Sequence, residues 1–134
     1  MGRISGYIQR VSIASGCSVS AVVHEIGHAI GFYHEQSRPD RDKYVTIHHQ
    51  NIIPGAEYNF RKETDVNSLG VTYDFNSIMQ YSATAFAKPG TITISAKEKD
   101  LPFGNAEDLS PLDIKQTNLL YKDQCSQLLI MMYT

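Results

Sequence analysis

The stretch from His24 to His34 reads HEIGHAIGFYH, and it decides both the fold and the chemistry expected of this chain. Its first five residues have the pattern HExxH, in which two imidazoles four residues apart lie on one face of a helix and can share one metal ion. Gly31 and His34 extend the pattern to HExxHxxGxxH, in which a glycine with φ > 0 turns the chain and returns a third imidazole to the metal. Three protein ligands leave a fourth zinc position open for water, as in catalytic sites. We therefore predict that His24, His28 and His34 bind one zinc ion per chain.

Glu25 lies within the same pattern, at the flank of the predicted ligand face. From there its carboxylate can contact water at the metal without itself becoming a ligand, so we predict Glu25 as the catalytic base. The other two histidines, His48 and His49, are neighbours in strand-like sequence and point to opposite faces. We expect both to be surface residues.

The residues around the motif predict a helix that starts after Ser18, a plausible N-cap, and stops at Gly31. Apolar residues recur at helical spacing along it, namely Val19, Val22, Val23, Ile26, Ala29 and Ile30. Around the helix axis, the two histidines of HExxH lie roughly opposite the side formed by Val19, Val23, Ile26 and Ile30. We therefore expect the helix to pack through its apolar stripe and to present the metal ligands on the other side.

Further elements are predicted from composition and turn signals. Tyr7 to Ile13 and Tyr44 to Ile47 have the composition of strands, and Thr91 to Ser95 is a third candidate strand. A short helix is expected within Asn51 to Glu63. Ser110 to Asp113 combines a cap residue, a proline at the first helical position and an acid in the first turn, which predicts a closing helix.

Length and composition limit the classes of protein to consider. The 134 residues fit one domain, and 42% hydrophobic with 19% charged residues is typical of a soluble globular protein. A formal charge of −2 and the absence of basic runs argue against nucleic-acid binding. No apolar stretch approaches the roughly 18 residues of a membrane span, and the first residues do not have the pattern of a signal peptide.

Two segments resemble the astacin family of metzincin peptidases. The residues from His34 to Asp42 read HEQSRPDRD and resemble the astacin signature, in which Glu follows the last histidine; reprolysins and matrixins typically have Asp there, and serralysins Pro. The residues from Ser77 to Tyr81 read SIMQY and resemble the astacin Met-turn, with Gln80 where His is common. The resemblance implies that Met79 forms the floor under the zinc site and that Tyr81 is the switch tyrosine. A plain core or surface role is the alternative for Tyr81.

The resemblance also implies an α+β, metzincin or zincin-like fold. It would contain the active-site helix, a remnant of an upper β-sheet, and an irregular C-terminal subdomain that ends in a helix. Residues 1–125 would then be a partial, N-terminally truncated astacin-like peptidase domain, followed by a short C-terminal tail at 126–134. By the same resemblance the disulfide partners of Cys17 and Cys125 belong to a preceding region, so both cysteines are expected to be free. Glu35, which holds the mature N-terminus in the family, is expected to be solvated or to find another partner.

The function that the resemblance implies is that of a secreted zinc endopeptidase, which hydrolyses internal bonds of protein or peptide substrates. Glu25 would take a proton from water and return it to the leaving amine, and the Tyr81 hydroxyl would stabilise the oxyanion. An alternative of a different class stays open. The chain could be a truncated zinc-binding remnant without significant catalysis, acting as an interaction module.

Overall fold

The structure is a computed structural model that describes the backbone of residues 10–132 and the side chains of residues 10–122. Its helices and strands, in chain order, are α1 (Val19–Ile30), β1 (Val45–Ile47), β2 (Ile94–Ala96) and α2 (Pro111–Met132). Short 3₁₀ helices occupy Glu35–Ser37, Arg41–Lys43, His49–Asn51 and Glu57–Phe60. The expected α+β class, with a largely irregular second half that ends in a helix, is confirmed.

Helix α1 begins and ends where its local sequence predicts. The Ser18 hydroxyl accepts a hydrogen bond from the backbone N–H of Ala21 at 3.2 Å, which is an N-cap contact. At the other end Gly31 has φ 118°, and the N–H of Phe32 donates to the carbonyl of Gly27 at 2.9 Å. This left-handed closure is the usual way to end a helix at glycine, so the positive φ predicted for Gly31 is confirmed.

The packing predicted for α1 is only partly correct, because its apolar stripe is partly buried at Val22, Val23, Ala29 and Ile30 but exposed at its centre. We define the outer face of α1 by Val19 and Ile26, which are 78% and 48% exposed. We define its inner face by His24, Gly27 and His28, and Gly27 is the buried residue of the helix. Described residues therefore cover the histidine side, and the centre of the apolar stripe is left in contact with solvent. The periodicity correctly identified residues that share a face, but periodicity cannot identify which segment of a chain covers that face.

The described sheet consists of β1 and β2, which pair antiparallel with Val45 opposite Ala96 and Ile47 opposite Ile94. The strand predicted at Tyr44 to Ile47 is therefore confirmed, and the one at Thr91 to Ser95 is displaced towards Ala96. The short helix expected within residues 51–63 is the 3₁₀ helix at Glu57–Phe60. Of the strand predicted at residues 7–13, residues 7–9 lie outside the described part, and residues 10–13 are irregular rather than extended in a sheet.

Helix α2 starts with the predicted cap and is fixed by it to the rest of the fold. The N–H of Asp113 donates to the Ser110 hydroxyl at 2.9 Å, and the N–H of Ser110 donates to an Asp113 oxygen at 3.0 Å. This reciprocal pair is a capping box with aspartate in the third position. The Asp113 carboxylate also accepts from the Ser77 hydroxyl at 2.7 Å and from the Ile78 N–H at 3.0 Å. The start of α2 is thus tied to the segment that resembles the Met-turn.

The helical backbone of α2 runs to Met132, beyond the boundary predicted after residue 125, and that boundary stays a prediction. Further along, the Tyr121 hydroxyl donates to the carbonyl of Ile30 at 2.6 Å, so α2 also contacts the end of α1. No helix in the part of the chain that the structure describes combines the length and apolar character needed to cross a membrane.

Two buried clusters form the described core. The larger one surrounds the sheet and consists of Val45, Ile52, Ala56, Phe60, Tyr73 and Ile94. The smaller one lies against α1 and consists of Phe32, Ile78 and Met79, with Val23 and Leu109 packed at its edge. The second cluster supports the inner face of α1 and therefore positions the histidines.

Candidate metal centre

Three imidazole nitrogens converge beside the inner face of α1. The Nε2 atom of His34 lies 3.2 Å from Nε2 of His24 and 3.2 Å from Nε2 of His28. The three candidate ligand atoms all lie within 4.8 Å of one another. In the part of the chain that the structure describes, these three histidines form the group of side chains that could hold a metal ion. The structure therefore brings together the three residues predicted as ligands.

The geometry of this group fits zinc. With Zn–N bonds of about 2.0–2.1 Å and tetrahedral angles, two ligand nitrogens stand about 3.3 Å apart. The observed separations of 3.2 Å agree with that value. Three neutral imidazole nitrogens are a donor set that zinc accepts, and they leave a fourth position for water or substrate.

Backbone carbonyls orient two of the three imidazoles. Nδ1 of His24 lies 2.8 Å from the carbonyl of Ile78, and Nδ1 of His28 lies 2.9 Å from the carbonyl of Phe32. Because a carbonyl can only accept, each Nδ1 carries the proton and each Nε2 keeps its lone pair for a metal. Such outer contacts fix the ring orientation and the tautomer of metal-binding histidines.

Burial favours the uncharged form of His34 and of His28. Desolvation, followed by the nearby His28 and His24, lowers the pKa of His34 to about 3. Desolvation also lowers the pKa of His28, against the effect of its hydrogen bond to Phe32. A neutral imidazole is the form that binds a metal ion, so the fold prepares the site before any ion arrives.

Glu25 is exposed and lines the cleft next to the histidines. This cleft has a volume of about 270 Å³, and Glu25 shares it with His24, Ile78 and Ala106. The predicted base therefore shares an open cleft with His24 and is not one of the converging ligands. A water or a peptide can reach its carboxylate from solvent.

Tyr81 contacts the histidine group, whereas Met79 packs against the helix that carries two of its members. The Tyr81 ring packs on the His34 ring with centroids 4.4 Å apart, and burial raises the pKa of its half-buried phenol. Met79 is 1% exposed, and its Sδ lies 2.8 Å from where a Cβ on Gly27 would be. A Cβ at position 27 would therefore force the Met79 sulfur to move. The roles predicted for Tyr81 and Met79 stay predictions.

Glu35 has found another partner rather than being solvated. Its carboxylate accepts from Arg38 at 3.0 Å and from the backbone N–H of Asp74 at 2.7 Å, and only 7% of the residue is exposed. Desolvation raises the pKa of Glu35 to about 7, although Arg38 opposes the shift. Its own N–H donates to the carbonyl of Met79 at 3.0 Å. Glu35 thus joins the segment after His34 to the segment that carries Met79.

Sequence reasoning assigned no role to several residues that hold this site together. Gln36 is 0% exposed, and its Oε1 accepts weakly from the Tyr81 N–H at 3.4 Å. Gln80 stands out in the sequence only as a departure from the astacin pattern, yet it is 5% exposed and hydrogen-bonded on both sides. Gly27 could have been found, because a glycine inside a helix costs about 1 kcal/mol and usually has a packing reason.

The remaining candidate residues lie away from the site. His49 is exposed, and His48 is partly buried with its Nε2 3.0 Å from the Ser95 hydroxyl. Cys17 is a free and exposed thiol. The side chain of Cys125 lies outside the described residues, so its expected state remains a prediction.

The histidine group is a candidate metal site, and comparisons with known proteins identify the family. The model of the Astacin peptidase family matches residues 1–122. This chain therefore belongs to the astacin family. It is 45% identical over 131 residues to a bone morphogenetic protein 1 homolog of Strongylocentrotus purpuratus, and 46% identical over 123 residues to nematocyst expressed protein 6 of Nematostella vectensis.

A solved structure has the same fold. High choriolytic enzyme 1, a hatching enzyme zinc-protease of the Medaka fish Oryzias latipes, aligns with a TM-score of 0.74 and 43% identity, covering 77% of this chain. The chain spans 52% of that structure. The two curated relatives cover 91% and 85% of this chain, but it spans only 20% and 42% of their lengths.

Proposed function

We propose that this chain carries the metal centre of a zinc-dependent endopeptidase that hydrolyses internal peptide bonds. The observation that supports this most is the convergence of three Nε2 atoms at zinc-binding distance beside a cleft that Glu25 lines. One zinc ion per chain, held by His24, His28 and His34, accounts for the arrangement. Membership of a zinc-protease family supports the choice of metal.

The chemistry divides between the metal and the residues of this chain. When bound, zinc supplies Lewis-acid chemistry, which activates water and polarises a scissile carbonyl. Glu25 accepts the proton of the attacking water and delivers it to the leaving amine, which its exposed position in the cleft allows. Met79, which packs against Gly27 and is buried, would form the apolar floor beneath the ligand group.

Tyr81 is the second catalytic residue that we propose. Among the described side chains its hydroxyl has no hydrogen-bond partner, and the raised pKa of the phenol keeps it protonated at neutral pH. It can therefore donate a hydrogen bond to the oxygen that becomes negative in the transition state. Gly31 and Glu35 have structural roles, because they direct the chain that carries His34.

Replacing Glu25 with glutamine tests the mechanism. The amide cannot accept the proton of water, so turnover of a peptide substrate should fall by about two decades or more. Zinc content, measured by elemental analysis, should stay unchanged because Glu25 is not a ligand. The matched control is Glu98→Gln at an exposed position, which should change neither quantity. Unchanged turnover in zinc-loaded Glu25→Gln protein would contradict the assignment.

Protein or peptide substrates and an extracellular location follow from the same proposal. The family is one of peptidases, and the structural relative is described as a hatching enzyme zinc-protease. We propose that residues 1–125 form part of an astacin-like domain and that residues 126–134 form a tail. The exposed outer face of α1 supports this, since Val19 and Ile26 are residues that normally pack in a core.

The exposure of Val19 and Ile26 also favours a second candidate function, a zinc-binding remnant without significant catalysis. The two are separated by measuring zinc content and peptide turnover for this chain and for one extended upstream with the N-terminal half of an astacin domain. We expect both chains to bind zinc and the extended chain to turn over substrate much faster, because the extension would hold the peptide in place. Equal turnover would contradict the partial-domain proposal, whereas activity in neither chain would favour the remnant.

A further inference from the structure

The backbone of Tyr81 is held from both sides by glutamine side chains. Its carbonyl accepts a hydrogen bond from Nε2 of Gln80 at 2.8 Å, and its N–H donates to Oε1 of Gln36 at 3.4 Å. Because the Tyr81 hydroxyl has no partner among the described residues, its position depends on this backbone and on ring contacts. The shorter of the two backbone bonds is the one from Gln80, so Gln80 is the stronger constraint.

The Gln80 amide can adopt only one orientation. Its Oε1 lies 2.5 Å from the Tyr73 hydroxyl, and its Nε2 faces the Tyr81 carbonyl. Since a carbonyl only accepts, the amide nitrogen must face Tyr81, and the Tyr73 hydroxyl must then be the donor to Oε1. Gln80 and Tyr73 are 5% and 4% exposed, so water does not compete for either bond. Desolvation raises the pKa of Tyr73, which therefore keeps its proton.

Tyr73 is itself fixed in the larger buried cluster. Its ring stacks on Tyr44 with centroids 4.8 Å apart and an interplanar angle of 17°. The Arg38 guanidinium lies over the same ring, 5.6 Å from its centroid. The hydrogen bonds from Tyr73 to Gln80 and from Gln80 to Tyr81 therefore link the larger buried cluster to the residue that packs on His34.

We propose that Gln80 is a positioning residue, which holds Tyr81 against His34 by bridging the Tyr73 hydroxyl and the Tyr81 carbonyl. The inference deepens the proposed function, on which it rests. It predicts that loss of the bridge affects the transition state more than substrate binding, because the Tyr81 hydroxyl acts on the charge that develops during reaction.

Variants at position 80 separate the two hydrogen bonds. Gln80→Met has similar length but no hydrogen-bonding groups, and Gln80→Glu keeps the acceptor for Tyr73 while placing an oxygen against the Tyr81 carbonyl. Both should lower kcat by about tenfold with KM changed less than about twofold, as expected for a displaced catalytic group. Gln80→His has one acceptor and one donor on its ring and should restore most of the loss. Gln50→Met, at an exposed glutamine, is the matched control and should have no effect.

A double-variant test distinguishes positioning from general destabilisation. In a Tyr81→Phe background, Gln80→Met should cause no further loss of kcat, because the group that it positions has already been removed. If the losses of kcat caused by Gln80→Met and Tyr81→Phe were fully additive in free energy, the proposal would be overturned. Residual stability of each variant is followed by urea unfolding, so that turnover is compared only between folded proteins.

A spectroscopic measurement keeps the inference separate from the proposed activity. Zinc-loaded chain labelled with 3-fluorotyrosine gives a ¹⁹F NMR signal for Tyr81, assigned by its absence in Tyr81→Phe. Gln80→Met and Tyr73→Phe should both shift or broaden that signal, whereas Gln80→His and Gln50→Met should not. If the unsubstituted chain shows no turnover that depends on Glu25, the proposed function fails while this measurement still tests the bridge. An unchanged Tyr81 signal in folded Gln80→Met and Tyr73→Phe would overturn the inference, and if Gln80→Met does not fold, Tyr73→Phe decides.

Discussion

The inner and outer faces of α1 differ in what surrounds them, although both belong to the same regular helix. On the inner face, His24 and His28 are oriented by backbone carbonyls and Gly27 lies against Met79. On the outer face, Val19 and Ile26 are largely in contact with solvent. The described segments thus pack around the histidine side of α1, and the centre of its apolar stripe remains exposed because these segments pack elsewhere.

The largest expected effect comes from removing two ligands of the inner face. The double variant His24→Ala, His28→Ala should bind almost no zinc, because one imidazole cannot replace a set of three. The matched outer-face variant Val19→Ser, Ile26→Ser should keep about one zinc ion per chain. Elemental analysis of both proteins, purified without chelator, measures the difference. Retention of zinc by the histidine variant would show that the metal site lies elsewhere.

A smaller effect is expected from the acid that ties α2 to the inner-face region. Asp113 is 3% exposed and accepts from Ser77, Ile78 and Ser110. Asp113→Ala would leave these buried donors unpaired, which should lower the free energy of unfolding by about 3 kcal/mol. Asp108→Ala is the control, because Asp108 is exposed and contacts only the neighbouring Leu109 N–H among the hydrogen bonds described. The Asp108→Ala substitution should change the free energy of unfolding by less than about 0.5 kcal/mol.

Urea unfolding of the zinc-loaded proteins measures both changes. Equal stabilities of the Asp113→Ala and Asp108→Ala variants would show that the start of α2 contributes little to holding the site.

The smallest effect is expected on the outer face itself. Ile26→Ser should change the stability of this chain by less than about 1 kcal/mol, since about half of the side chain is already exposed. In a chain extended with the N-terminal half of an astacin domain, the same substitution should cost about 2 kcal/mol or more, as for a buried aliphatic residue. The comparison uses urea unfolding of all four proteins. A small cost in both chains would mean that the extension does not cover this face.

Local features of the sequence predicted the local structure well. The bounds of α1 follow from Ser18 and Gly31, and the start of α2 follows from Ser110 and Asp113, because each cap is formed by residues within five positions of one another. The proposed metal ligands are equally local, since His24 and His34 are ten residues apart. Interactions between residues so close in sequence can be predicted from their spacing and residue types alone.

Contacts between distant segments could not be derived in this way. Asp113 was expected only as an acid in the first turn, yet it also binds Ser77, 36 residues earlier. Gln80 lies in an irregular segment without periodicity, so nothing in the sequence indicated that its amide would bridge Tyr73 and Tyr81. The exposed outer face of α1 belongs to the same category, because burial depends on which segments meet.

The spacing of the ligand group has a consequence for the order of folding. His24 and His34 close a loop of ten residues, whereas the carbonyl of Ile78 that orients His24 is 54 residues away. The entropy lost on closing a flexible loop grows with the logarithm of its length, so the longer closure costs about 1.5 kcal/mol more. We expect zinc to bind the helix and its turn before the Met79 segment arrives. The ion would then limit the conformations that the rest of the chain must search, and refolding should be faster in its presence.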